Sequence, residues 1–304
     1  MKNEDAIGAR LIKPVVGIPR IEAMKRPVPG PGHATIRVAT VGMCRTDLLV
    51  AAGTIPVKED TVLGHEFSGW IEDVDADGST EFPIGTLVAG DPTFPLEDGR
   101  DGFIGVDASG ALATWIVMPL ERLHRADGLT AHQAAYLEPV TAAMGGLPMA
   151  RSCGGRGAIV GRNRIATLTS AVLTSHGVEH EIVDMNELFD RPDCSFEWLL
   201  EARLSDLLLA DAVRKLAAGG TLILKSRHLE MASFPVRDMV LKRLTFAGMT
   251  RSGFPEAMAW MKANVATVDS LLGRRYPLDR WEEAFADAGT GEGRKIFVDL
   301  DGAL

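Results

Sequence analysis

Cysteine is scarce in this chain of 304 residues: there are three, Cys44, Cys153 and Cys194. An odd number this small excludes a disulfide framework and fits a reducing compartment. Cationic side chains are outnumbered too, 32 Lys and Arg against 41 Asp and Glu, for a net charge of −9 at pH 7. A nucleic-acid partner needs a basic face to neutralise phosphates, so none is expected. Long uninterrupted apolar runs are missing, which argues against a membrane-spanning helix. The start, Met1-Lys2-Asn3-Glu4-Asp5, is charged and carries no apolar stretch of the kind a secretory leader needs. These absences predict a cytoplasmic protein with a small-molecule partner and neither nucleic acid nor membrane.

What is present supports a large folded chain. With 46% hydrophobic and 24% charged residues it can bury a sizeable core, and its length suggests two domains or one large one. The first part reads as β-rich. Alternation over 34–41 follows the turn Pro29-Gly30-Pro31-Gly32, and further strands are predicted at 67–74, 86–89 and 113–118, in the manner of a short-stranded barrel-like domain. After Thr130, a plausible N-cap, the period changes to helical over 131–150.

Strands at 157–161, 181–184, 196–200, 220–225 and 244–248 then alternate with helices at 165–176, 207–217 and 255–264. That alternation indicates α/β architecture, a doubly wound parallel sheet of Rossmann type. A final strand is predicted at 295–300. Boundaries near Pro148 and Ala266 give residues 1–147 with 267–304 as one domain and 148–266 as the other.

The richest local pattern is Cys44-Arg45-Thr46-Asp47, followed by Gly64-His65-Glu66 and by Glu138-Pro139. Thiolate, imidazole and carboxylate are ligands for one Zn²⁺, and three protein ligands with an exchangeable position mark a catalytic rather than a structural metal. The bland alternative is a buried Cys acting as a small hydrophobe and a hydrogen-bonded core His. Against it, Cys44 precedes polar residues, Gly64 and Gly69 flank His65-Glu66, and Glu138 stands in a segment of Ala, Leu and Val where an unpaired carboxylate is costly.

These segments resemble the zinc-dependent medium-chain dehydrogenase/reductase superfamily of alcohol, sorbitol and threonine dehydrogenases. The matching pieces are Pro29-Gly30-Pro31-Gly32, Gly42 to Asp47, Leu63 to Gly69 and Ala135 to Pro139, with Tyr276-Pro277-Leu278, Glu283-Ala284-Phe285 and Arg294-Lys295-Ile296 in agreement. The resemblance implies a GroES-like β-rich catalytic domain beside a shortened Rossmann-type domain. It makes Cys44 and His65 zinc ligands, with Glu66 and Glu138 supplying oxygen directly or through water. Thr46 would meet the substrate oxygen, Asp47 would orient His65, and Arg45 would reach toward the cofactor pyrophosphate. It also implies a homodimer or homotetramer, with Leu244 to Gly248 as a candidate joining edge.

Three departures from the family follow. The stretch 92–110 is short and has no cysteine, so one catalytic zinc and no structural zinc are expected. Leu49 stands where some alcohol dehydrogenases place a histidine of the proton path. The dinucleotide fingerprint reads Gly161-Arg162-Asn163-Arg164-Ile165-Ala166, with Asn in place of the middle glycine. Arg162 and Arg164 either compensate by contacting phosphate or are solvated surface residues. Asp184, about twenty residues beyond the turn, is either a ribose ligand favouring NAD over NADP or a loop aspartate. The expected cofactor-binding set is Arg45, Gly161, Asn163, Arg164, Ile165 and Asp184.

Only eleven residues separate Asp184 from Phe196, too few for a further helix and strand. The functional expectation is hydride transfer between a small alcohol, polyol or hydroxy-amino acid and NAD(P), with Thr46, Asp47 and Glu66 at the chemistry. The alternative is a non-redox zinc lyase, dehydratase or isomerase with a degenerate nucleotide site. Trp115, Phe94 and Met118 read either as pocket lining or as core.

Overall fold

The computed structural model describes residues 7–75, 81–203, 205–226, 231–249, 251–291 and 293–300; the charged start of the chain lies outside them. Its contacts divide into two units, Met1–Glu138 with Met258–Leu304, and Pro139–Ala257. Among the described residues no helix is long and apolar enough to cross a membrane.

The first unit is built on the ten-residue strand His33–Gly42, in which Ile36, Val38 and Val41 are fully buried. Two neighbours pair with it along different halves. Trp115–Pro119 lies antiparallel to residues 33–37, and Lys295–Asp299 lies antiparallel to residues 40–42. On its other side Glu66–Val74 runs antiparallel over the whole length, from Ala34↔Val74 to Gly42↔Glu66. Leu87–Gly90, Leu123–Arg125 and Leu272–Pro277 complete a seven-stranded sheet. The core of this unit joins Leu11, Ile36, Val38, Leu63, Phe67, Ile71, Val88 and Leu112, each worth about 1.5–3 kcal/mol when fully buried. Met118 belongs to that cluster and Phe94 packs at its margin. Trp115 is buried with its Nε1 donating to Glu72 Oε2 at 2.6 Å. These three side chains are packing.

The helical stretch predicted over 131–150 is three helices: Ala131–Ala135, Leu137–Met144 and Leu147–Cys153. Thr130 does cap the first. Its Oγ1 accepts from the Gln133 N–H (3.3 Å), and Gln133 Oε1 accepts from the Thr130 N–H (2.8 Å). The interruptions have a chemical cause, because Pro139 and Pro148 lack an N–H and are tolerated only in a first helical turn. These prolines, with Gly145-Gly146, break the single run into short helices.

The second unit is a five-stranded parallel sheet. Its spatial order is His180–Val183, Gly157–Val160, Phe196–Glu201, Leu216–Leu224, Thr245–Gly248. Both alternating side-chain sets are buried: Ala158, Val160, Leu199 and Leu222 in one set, Ile159, Trp198, Leu200 and Ile223 in the other. A sheet covered on both faces reads in sequence as continuous apolar runs. Numbered along the chain the order is 2-1-3-4-5. That is the six-stranded dinucleotide-binding order 3-2-1-4-5-6 with its third strand removed. The short segment after Asp184 forms one helix, Met185–Asp190, and leads straight to the next strand. Among the described residues of this unit, no strand lies beyond His180–Val183.

Candidate functional site

Register alone brings the candidate ligands together. Gly42 and Glu66 are directly opposite in the antiparallel pair, so Cys44, two residues past the end of one strand, meets His65, one residue before the start of the other. Cys44 is the N-cap of the helix Arg45–Ala51. Gly64 takes φ +90°, and a Cβ there would stand 2.9 Å from Val41 Cγ1 and 3.0 Å from Leu112 N. Glycine is therefore required on both conformational and spatial grounds immediately before His65. The ligand atoms of Cys44, His65 and Glu66 all lie within 4.8 Å of one another.

Asp47 organises the group from beneath. Its carboxylate accepts from the Cys44 N–H (2.9 Å) and the Gly64 N–H (3.2 Å), and Oδ1 stands 3.3 Å from His65 Nδ1. One buried side chain thus ties both candidate ligand segments and fixes the imidazole, leaving Nε2 as the nitrogen that could face a metal. Burial disfavours charge on His65, but the Asp47 carboxylate and the Cys44 thiol outweigh it and raise the imidazole well above its ordinary range. Burial likewise opposes ionisation of Asp47. His65 and the Cys44 amide prevail and hold its carboxyl below the usual range.

Glu66 pairs with a residue from the far end of the chain. Lys295 is fully buried, and its Nζ forms an ion pair with Glu66 Oε2. Lys295 arrives because Phe297 pairs with Gly42 in the adjoining strand. The room for the pair comes from Gly42. A Cβ there would lie 2.5 Å from Lys295 Cε and 2.9 Å from Glu66 Oε2. Thr46 Oγ1 stands 3.8 Å from Cys44 Sγ, the thiol being the donor. Arg45 is exposed at the start of its helix, and Leu49 is half-buried. Glu138, 9% exposed, is in the first turn of the helix Leu137–Met144 and stands outside the three-residue ligand group.

The donor set fits one zinc. A thiolate, an imidazole and a carboxylate are its preferred ligands, and the three ligand atoms are grouped within 4.8 Å. His65 has its partner carboxylate in place, as a metal-bound imidazole requires.

The nucleotide-type turn lies in the other unit. Gly161 follows the strand Gly157–Val160 with φ +123°, open to glycine, and its N–H donates to Val183 O at 2.8 Å. Asn163 caps the twelve-residue helix Arg164–Ser175, whose first two residues are Arg164 and Ile165. Its φ of −145° and ψ of 172° are extended, so tolerance of a left-handed backbone plays no part in the choice of Asn at this position. Asp184 is a helix cap too. Its Oδ1 accepts from the N–H groups of Asn186 and Glu187, both at 2.9 Å, while Glu187 accepts from the Asp184 N–H. Arg162 donates to both oxygens of Glu187, at 2.6 and 2.7 Å, and lies 3.8 Å from Asp184 Oδ2. The Asp184 N–H and the Arg162 guanidinium hold the Glu187 carboxyl below its usual range.

Comparison with known proteins bears on both units. Residues 30–128 match the alcohol dehydrogenase GroES-like domain. The chain is 23% identical to the sorbitol dehydrogenase of Gallus gallus over 93% of each sequence. The structure of 2R,3R-butanediol dehydrogenase from Bacillus subtilis superposes with a TM-score of 0.83, at 23% identity over 96% of this chain and 99% of its own. Glucose dehydrogenase from Haloferax mediterranei, in complex with NADP, Zn and gluconolactone, superposes at 0.80 with 21% identity, over 96% of this chain and 99% of its own. This chain carries the alcohol dehydrogenase GroES-like domain and is similar along most of its length to sorbitol and butanediol dehydrogenases.

Two buried charged groups do not stand out in the sequence as site residues. Lys295 is visible there only as part of Arg294-Lys295-Ile296, and a lysine at a strand start reads as solvated until its partner is known. Glu201 closes the strand Phe196–Glu201 and is fully buried. Its carboxylate accepts from the N–H groups of Lys225 and Ser226, and from Ser226 Oγ at 2.8 Å. Burial pushes Glu201 above the ordinary carboxyl range despite these donors. The signal that could have exposed it was an acid placed directly after the apolar run Trp198-Leu199-Leu200.

Proposed function

We propose that this chain transfers a hydride between a small alcohol and NAD(P), the alcohol being a polyol, a secondary alcohol or a hydroxy-amino acid. The observation that carries the reading is the Cys44, His65 and Glu66 donor group, clamped by Asp47 and edged by the Thr46 hydroxyl. One zinc is assigned to it, with Glu138 as a further oxygen ligand. Bound there, the metal supplies Lewis acidity toward a hydroxyl, while a nicotinamide supplies the hydride acceptor.

The protein's own part is positional and protonic. Cys44 and His65 anchor, Asp47 fixes the imidazole, and Thr46 Oγ1 would accept a hydrogen bond from the substrate's hydroxyl. Lys295 balances the charge of Glu66. In the second unit, Gly161, Asn163, Arg164 and Ile165 form the turn assigned to the pyrophosphate. NAD is favoured over NADP, because Asp184 and Glu187 set two carboxylates against the single Arg162 guanidinium where a 2′-phosphate would sit. A homodimer or homotetramer in the cytoplasm completes the assignment.

The non-redox alternative gains nothing from its relatives, which are dehydrogenases. The test is Cys44→Ser: zinc content and alcohol oxidation should be lost together, and retention of both would overturn the assignment. Saturable NADH fluorescence on titration checks the cofactor.

A further inference from the structure

In a doubly wound sheet the ligand crevice opens outside the carboxyl ends of the strands, where the strand order reverses. In this sheet that place lies between Gly157–Val160 and Phe196–Glu201, whose following residues are Gly161 and Ala202. The Asn163 side chain crosses it. Nδ2 donates to Ala202 O at 3.1 Å, and Oδ1 accepts from the Ala166 N–H at 2.9 Å. The same Nδ2 lies 3.5 Å from where a Cβ on Gly161 would stand, so the amide is packed over the glycine turn.

A pyrophosphate approaches such a turn through bare backbone N–H groups at the start of the helix. At Asn163 the backbone is extended, a conformation open to any residue, so the local fold does not need this side chain for its shape. We infer that Asn163 is a positioning residue that weakens dinucleotide binding: its amide straps the floor of the crevice, and the cofactor must displace the strap to reach the helix start. The inference rests on the dehydrogenase reading. The consequence for turnover is rapid cofactor release, a step that often limits such enzymes.

Two variants separate the strap from the cap. Asn163→Ser keeps an oxygen able to accept from the Ala166 N–H but cannot reach Ala202. Asn163→Gly removes both interactions. In fluorescence titrations of the zinc-loaded protein with NADH, both variants should bind with a Kd about three- to tenfold lower than wild type, the range that one net hydrogen bond converts to. Thermal unfolding should fall modestly for both variants, Asn163→Ser losing the bond to Ala202 and Asn163→Gly losing that bond and the cap. A merely structural Asn163 would instead move affinity and stability downward together. Unchanged or weaker NADH binding by Asn163→Gly overturns the inference, while saturable wild-type binding leaves the dehydrogenase reading standing. No NADH or NADPH binding by any of the three proteins overturns both. Binding by the variants alone supports the strap and removes NAD(P) from the native activity.

Discussion

Lys295→Met tests the buried charge pair behind the candidate metal. Lys295 is fully buried and the Glu66 side chain is 3% exposed, so water cannot replace the lost ammonium. Removing one partner of such a pair leaves an uncompensated buried charge and costs about 3–5 kcal/mol. Against a total stability of about 5–15 kcal/mol that is a large fraction. The loss should be greatest without metal, because zinc supplies a second cation for Glu66. At a hundredfold excess over Kd, a ligand specific for the folded state adds about 2.7 kcal/mol. Urea unfolding with zinc and with a chelator therefore reads the effect directly. The variant should show a lowered midpoint in chelator and regain more than wild type does on adding zinc. The double variant Glu66→Gln with Lys295→Met should recover much of the chelator loss, since neutral partners need no compensation. An unchanged midpoint for metal-free Lys295→Met, at an unchanged slope, would refute the charge balance assigned to this pair.

Further substitutions probe the scaffold of the site. Asp47→Asn should lower zinc affinity by about 10–100-fold, the usual cost of losing a group that orients a ligand; chelator competition measures it, and unaltered affinity would show that Asp47 does not orient His65 for the metal. Gly64→Ala places a Cβ 2.9–3.0 Å from Val41 and Leu112 at φ +90°, and should cost about 1–3 kcal/mol in denaturant unfolding. Glu201→Gln tests a pH effect. Because burial raises Glu201 in the folded state, the native protein holds that proton more tightly than the unfolded chain. Its stability contribution is greatest below the ordinary glutamate range and is lost as pH rises through the raised folded value. Glu201→Gln should flatten stability across that window, and an unchanged pH–stability curve would show that the carboxyl titrates normally.

Much of this arrangement is legible in the sequence because it depends on neighbours in the chain. The alternation over 34–41 is the strand His33–Gly42, and the run 157–161 is the strand Gly157–Val160. Cys44 and His65 stand out because polar residues and glycine surround them where core residues would be expected. The pairing of Lys295 with Glu66 is not legible, since it depends on two strand registers that meet only in the folded sheet. Asn163 is visible as a departure from the fingerprint, but its partner Ala202 O cannot be read from the chain. Asp184 illustrates a different gap, because a cap and a ribose ligand demand the same residue type and only geometry shows the capping bonds.

The shortened sheet has a consequence for behaviour at high concentration. With no further strand beside it among the described residues, His180–Val183 is a border whose outer backbone groups face away from the sheet, and such borders recruit strands from other molecules. This one is poorly suited to recruitment. It is four residues long, Glu181 is engaged by Arg191, and His180 Nε2 is held by Ser170 Oγ at 2.7 Å. A polar, short border discourages intermolecular strand addition. The same economy that trims the nucleotide unit thus leaves a border too short and too polar to template a partner strand.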